Sequence, residues 1–291
     1  MNNGSILTLD KLSAGYGTGD VISEISFSLR HDEILCIAGQ SGCGKSTLLR
    51  AIMGVFDLPE ITGGSITLNG TVLTELPKKQ RRELSTRSMG LIFQNPGAAF
   101  NPIRSYEKQF REALSGCGKY DKSTFNAIVE EVFSRLGLGD AKRILRSCPY
   151  EMSGGMNQRI AIALTILMGQ RLLLADEPTS ALDAGIRRQV ADEIKLLRDE
   201  NGVSVIAVTH DLALARYIAD RVAIMLGGRI VELGSSEDVI SAPAHPYTRA
   251  LIGAAAQLGG SLPEFHGADF SLEGTLREVA SGHFVLTEGS A

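Results

Sequence analysis

Three short stretches of this chain are apolar without a break and stop abruptly at glycine or polar residues: 34–38, 172–175 and 203–208. Runs of that kind predict strands buried on both faces, as in a parallel sheet covered by helices. Helix-spaced apolar positions lie between them, so the pattern predicts a doubly wound, mostly parallel α/β core. Residues 5–35 behave differently, alternating apolar and polar side chains through Ile22, Ile25, Phe27 and Leu29 around a Gly-rich turn at 15–19. Residues 65–73 repeat that habit, and Asn69-Gly70 is a strong signal for a tight hairpin. Together these predict half-exposed antiparallel strands forming a sheet beside the core. From about residue 103 to 147 the spacing is helical, as in Ala127, Ile128, Val132, Phe133 and Leu136, which predicts an inserted helical subdomain. Arg221 to Leu226, Gly227-Gly228 and Arg229 to Leu233 predict a terminal hairpin. Beyond about Ala254 the periodicity weakens, and a loosely packed appendage is expected. No internal repeat is found.

Composition narrows the class only slightly. The 291 residues are 44% hydrophobic and 21% charged, ordinary for a globular protein of one large domain or two modest ones. A net charge of −4, with no long block of Lys or Arg, disfavours nucleic acid as the main partner. The most apolar run, 160–168, is far short of the roughly 20 residues that span a bilayer. The opening Met-Asn-Asn-Gly-Ser lacks the basic-then-apolar pattern of a signal peptide. The four cysteines, Cys36, Cys43, Cys117 and Cys148, show no Cys-x-x-Cys spacing, so neither a zinc site nor a disulfide framework is expected. Small buried thiols in a reducing compartment fit better.

Chemistry enters at residues 39–46, Gly-Gln-Ser-Gly-Cys-Gly-Lys-Ser, which follow a predicted buried strand and precede a helix marked by Leu48, Leu49 and Ile52. This is G-x-x-x-x-G-K-[ST] in full, so the core is read as a P-loop NTPase. Gly39, Gly42 and Gly44 let the main chain wrap an anion, and the backbone N–H groups of Gln40, Ser41, Cys43 and Thr47 join the cradle at the helix N-terminus. Lys45 is placed for the β- and γ-phosphates of ATP and Ser46 for Mg²⁺. The run 172–175 ends in Asp176-Glu177: Asp176 can hold the Mg²⁺ shell, and Glu177 can deprotonate the attacking water. His210 follows another buried run and can bond the γ-phosphate. Gln94, after 89–93, can touch both metal and water. Ser153-Gly154-Gly155 opens a helix and offers a second anion site at its N-terminus. With one phosphate loop per chain, two anion sites imply a second copy or a neighbour.

Taken together these motifs resemble the ATP-binding cassette family over roughly residues 5 to 240: phosphate loop, Gln94, a Met152-Ser-Gly-Gly-Met156 signature, Asp176-Glu177, a D-loop at Ser180-Ala-Leu-Asp183, and His210. The resemblance implies that Tyr16 stacks on adenine and that Ser153, Gly154 and Gly155 act in trans on the partner's nucleotide. The signature departs from the commonest Leu-Ser-Gly-Gly-Gln at its first and last positions only. Its Ser-Gly-Gly-Met-x-Gln-Arg form, together with 93–102 and His245-Pro-Tyr-Thr-Arg-Ala-Leu251, resembles the subfamily of dipeptide, oligopeptide and nickel importers. That implies an ATPase domain at 1–240 with the helical subdomain inserted at about 95–160, and a C-terminal extension at 241–291. It further implies a second, related ATPase subunit, two membrane permeases, an extracytoplasmic solute-binding protein, and a peripheral place on the cytoplasmic face of the membrane. The closing Arg277 to Phe284 resembles that subfamily's tail, where some members carry an iron–sulfur cluster. No cysteine follows Cys148, so no cluster is expected.

Two rival readings stand beside this one. A cassette ATPase acting on DNA or ribosomes needs a long coiled coil or tandem cassettes. Gln94 and Ser153 are 59 positions apart, too close for a long coiled coil, and only one phosphate loop is present. A regulator without turnover is disfavoured by Glu177 and His210. Peptide and nickel both remain open as the solute.

Overall fold

The computed structural model describes residues 4–17, 19–92, 99–179, 184–257 and 270–288. Strands β1 (Ser5–Gly15), β2 (Asp20–Arg30), β4 (Glu60–Leu68) and β5 (Thr71–Val72) form an antiparallel sheet in the order β2-β1-β4-β5. The turn between β4 and β5 is the Asn69-Gly70 pair, with φ of 47° and 79°, the backbone a twisted two-residue hairpin demands.

The main sheet holds β3 (Ile34–Ala38), β6 (Met89–Ile92), β7 (Leu172–Asp176), β8 (Ser204–Thr209), β9 (Arg221–Leu226), β10 (Arg229–Ser235), β11 (Thr275–Ala280) and β12 (His283–Thr287). Its order is β11-β12-β10-β9-β3-β8-β7-β6, parallel from β6 to β9 and antiparallel beyond. The uninterrupted apolar runs have a simple cause. Cys36, Leu173 and Ala207 enter one core, whereas Leu35, Leu174 and Ile206 enter the other. Each face of the strand is therefore buried, and no polar alternation survives.

Helices α1 (Lys45–Met53) and α2 (Lys78–Ser88) belong to the first half of the chain. The inserted region is helical, as its spacing predicts: α3 (Tyr106–Gly116), α4 (Phe125–Arg135) and α5 (Ala141–Arg146). Phe110 and Phe133 meet edge to face at 6.0 Å and join α3 to α4. Then follow α6 (Gly154–Leu167), α7 (Ala184–Asn201), α8 (Leu212–Ile218), α9 (Ser236–Ser241) and α10 (Pro246–Gln257). Among the described residues no helix is long and apolar enough to cross a membrane. All four cysteines are free thiols.

The tail departs from expectation. Residues 270–288 are not loosely packed, because β12 pairs with β10 through Glu232↔Val285 and Leu233↔Phe284, and Val285 and Leu286 are buried. The β9–β10 hairpin is therefore not terminal. Strands of five and six residues give too short an alternation to stand out from sequence.

An ion pair ties α6 to α7: Arg159 Nε lies 2.6 Å from Glu193 Oε1, and both side chains are largely buried. Burial pushes the Glu193 carboxyl up from 4.5 to about 7, although Arg159 pulls it down. Between those values the unfolded chain has lost a proton that the native one keeps. This contribution is thus full below about pH 4.5, falls as pH rises towards about 7, and is flat above. Glu193→Gln is expected to remove that slope from urea midpoints measured across the window. An unchanged slope counts against the assignment.

Candidate functional site

Registry places the chemistry. β8 lies between β3 and β7, with Ala38 level with Thr209 and Asp176 level with Val208. The residues leaving these three strands at their carboxyl ends must therefore meet at one edge of the sheet, where open α/β sheets place ligands. The phosphate-loop segment leaves β3, Asp176-Glu177 leaves β7, and His210 leaves β8.

After Ala38 the chain turns through 39–44 into α1. Gly44 is its N-cap at φ 104°, and a Cβ there would meet Ile22 and the Val21 carbonyl. At Gly39 a Cβ would fall 2.3 Å from the Met225 carbonyl oxygen. Both positions admit only glycine, one on conformation and space, the other on space alone. Lys45 is buried, and its ammonium donates to the carbonyls of Gly39 at 2.7 Å and Gln40 at 2.8 Å. Ser41 and Gly42 are exposed at the tip, while Thr47 is buried behind it. Cys43 is buried too, and burial raises its thiol pKa, which keeps it protonated and unreactive. Tyr16 follows the end of β1 at 36% exposure, a few residues before the Val21–Ile22 segment that borders Gly44.

Ser46 Oγ donates to Asp176 Oδ1 at 2.9 Å, joining loop and strand end. Burial raises the Asp176 pKa; the Ser46 bond, Arg50 and Lys45 oppose this, while Glu177 adds to it. Glu177 sits in the left-handed region at φ 47°, which costs a non-glycine residue about 1–3 kcal/mol. Its N–H donates to the Val208 carbonyl at 3.0 Å, and its Oε1 lies 3.2 Å from His210 Nδ1. His210 is otherwise exposed. A carboxylate and an imidazole thus face outward side by side, one residue beyond a serine–aspartate pair of hard oxygen donors.

Ser153 caps α6, accepting from the Met156 N–H at 3.3 Å, with Ser153 and Gly154 on the surface and Gly155 buried. Three buried polar residues fix this turn, and sequence reasoning gave none of them a structural role. Tyr106 donates to Asn157 Oδ1; Asn157 Nδ2 donates to the Pro149 carbonyl at 3.1 Å; Gln158 Nε2 donates to the Pro178 carbonyl at 2.5 Å. The last bond connects the signature helix to the residue after Glu177. The only signal was polar residues on the inner face of an apolar helix. Gln94 and the D-loop, 180–183, lie outside the described residues.

Comparison with known proteins identifies the family. Residues 22–180 match the family described as ABC transporter, and 231–274 match the oligopeptide/dipeptide transporter C-terminal region. The chain is 36% identical over 270 residues to the dipeptide transport ATP-binding protein DppD of Bacillus subtilis (strain 168), covering 91% of this chain and 78% of that protein. To the oligopeptide transport ATP-binding protein OppD of Lactococcus lactis subsp. cremoris (strain SK11) it is 37% identical over 233 residues, 79% of this chain and 69% of that one. A dimeric ATP-binding cassette in a post-hydrolysis state, bound to ADP and Pi, superposes with a TM-score of 0.68 at 25% identity, over 79% of this chain and 98% of that chain. The chain belongs to the ATP-binding cassette transporter family, as an ATP-hydrolysing member coupled to transport.

Proposed function

We propose that this chain drives a dipeptide or oligopeptide importer as one of two ATPase subunits on the cytoplasmic face of a membrane. The observation that carries the catalytic part is the convergence of Lys45, Ser46, Asp176, Glu177 and His210 on one sheet edge. The solute class is supported by the match at 231–274 and by the names of the relatives.

In this reading the amides of 40–47 cradle the phosphates of ATP, Tyr16 stacks on adenine, and Lys45 meets the β- and γ-phosphates. Ser46 and Asp176 suit Mg²⁺, with Gln94 as a third partner: a hydroxyl and a single carboxylate leave coordination positions for phosphate oxygens and water, as that ion prefers. Mg²⁺ would neutralise phosphate charge there. Glu177 takes the proton of the attacking water, and His210 bonds the γ-phosphate and keeps Glu177 aimed. Ser153, Gly154 and Gly155 of a partner cassette close over the nucleotide. Closure and reopening move two permease subunits, which receive solute from an extracytoplasmic binding protein, so the solute never touches this chain.

Uptake tests the solute assignment. In cells lacking other peptide importers, this chain with its permeases is expected to restore entry of a labelled dipeptide, and Lys45→Ala is expected to abolish it. Restored entry of chelated nickel, with none of peptide, overturns the assignment.

A further inference from the structure

Gln158 is fully buried in α6, where the residues from Ile160 to Ala163 all enter the apolar core. Its Nε2 donates to the Pro178 carbonyl at 2.5 Å, while its Oε1 finds no partner among the described residues. A buried acceptor left unpaired costs stability, so packing alone would favour an apolar side chain here. What the glutamine supplies is one donor at one point, and that donor is firmly mounted. On one side Asn157 is held by Tyr106 and the Pro149 carbonyl; on the other Arg159 is paired with Glu193 of α7.

The acceptor lies one residue beyond Glu177, in a segment with little freedom. Glu177 is held at φ 47°, and its N–H donates to the Val208 carbonyl at 3.0 Å. The Pro178 ring fixes the next φ near about −65° and restricts the residue before it. Only ψ of Pro178 then stays soft, and the carbonyl that ψ turns is the one Gln158 holds. The Glu177–Pro178 pair is therefore pinned at both ends, to β8 by the first N–H and to α6 by the last carbonyl. Between the two pins the Glu177 carboxylate reaches His210, Oε1 to Nδ1, at 3.2 Å. With the second pin removed, the strained backbone at Glu177 is free to relax and swing the carboxylate.

We propose that Gln158 is a positioning residue for Glu177: by holding the Pro178 carbonyl it keeps the base aimed from a strained backbone. The aim of the base is thereby set by the helix that the signature turn opens. This rests on reading Glu177 as the base.

Gln158→Met keeps the length of the side chain and removes the donor. In the assembled transporter it is expected to lower kcat for ATP about ten- to a hundredfold, the scale of a misplaced reacting group, with KM and nucleotide affinity within about twofold of the parent. A loss of fold would lower turnover too, so the same change is made in Glu177→Gln and single turnovers of labelled ATP are followed. There it is expected to cost less than about twofold, because no base is left to misaim. An equal loss in both backgrounds means that Gln158 acts on folding or packing, and kcat within twofold in the parent background means that the bond does nothing for the base. Either result overturns the proposal. Glu177→Gln hydrolysing like the parent overturns instead the reading of the base beneath it. Should Gln158→Met fail to fold, Gln158→Asn, which withdraws the amide by one methylene, takes its place in the same comparison with the same outcomes.

Discussion

Glu177→Gln is expected to lower ATP turnover by about a hundredfold or more while leaving ATP binding intact, because a positioned general base supplies about 10²–10⁴ in rate. The substitution keeps the shape of the side chain and an oxygen acceptor, so His210 retains a partner 3.2 Å away. It removes only the capacity to take a proton. Glu177 is held at a positive φ by a bond from its own N–H to Val208, a strained backbone that aims the carboxylate beyond the end of β7. Phosphate release and nucleotide affinity, measured on the same preparation, test the role. Hydrolysis within twofold of the parent chain means that Glu177 is not the base.

A comparably large loss is expected from Ser153→Asp, for a different reason. Aspartate caps helices about as well as serine, so the bond from the Met156 N–H survives and α6 keeps its start. What changes is charge: in the proposed pairing a carboxylate would face the γ-phosphate of the partner's nucleotide, where a neutral hydroxyl and a helix N-terminus favour an anion. Turnover of paired cassettes is expected to fall by about a hundredfold. Nucleotide affinity of the separated chain should not move, since its own loop is untouched. Affinity falling in step with turnover would place Ser153 at its own chain's nucleotide instead.

Legibility in the sequence followed the range of the interactions. The phosphate loop could be read because its constraints are local: a buried strand, glycines with nothing to spare at 39 and 44, and a helix starting at Lys45. The three parallel strands could be read because burial on both faces erases alternation. The meeting of Glu177 with His210 followed from topology, but its geometry needed the register that sets Asp176 beside Val208. The tail was misread because its order comes from distant partners, above all the buried carboxylate of Glu232 that receives His283 and His245. The roles of Asn157 and Gln158 were invisible for the same reason. A buried polar residue declares itself only when its partner is known, and theirs lie 51 and 20 positions away.

The whole account depends on hydrolysis occurring between two cassettes. The direct measurement is turnover per chain of the purified protein, as single copies and after pairing within the assembled transporter, each with Ser153 intact and replaced by Asp. Single copies are expected to bind ATP yet hydrolyse almost none, pairing is expected to restore turnover, and Ser153→Asp to abolish it again. Single copies carrying Ser153→Asp that split ATP at the rate of the intact pair would contradict it.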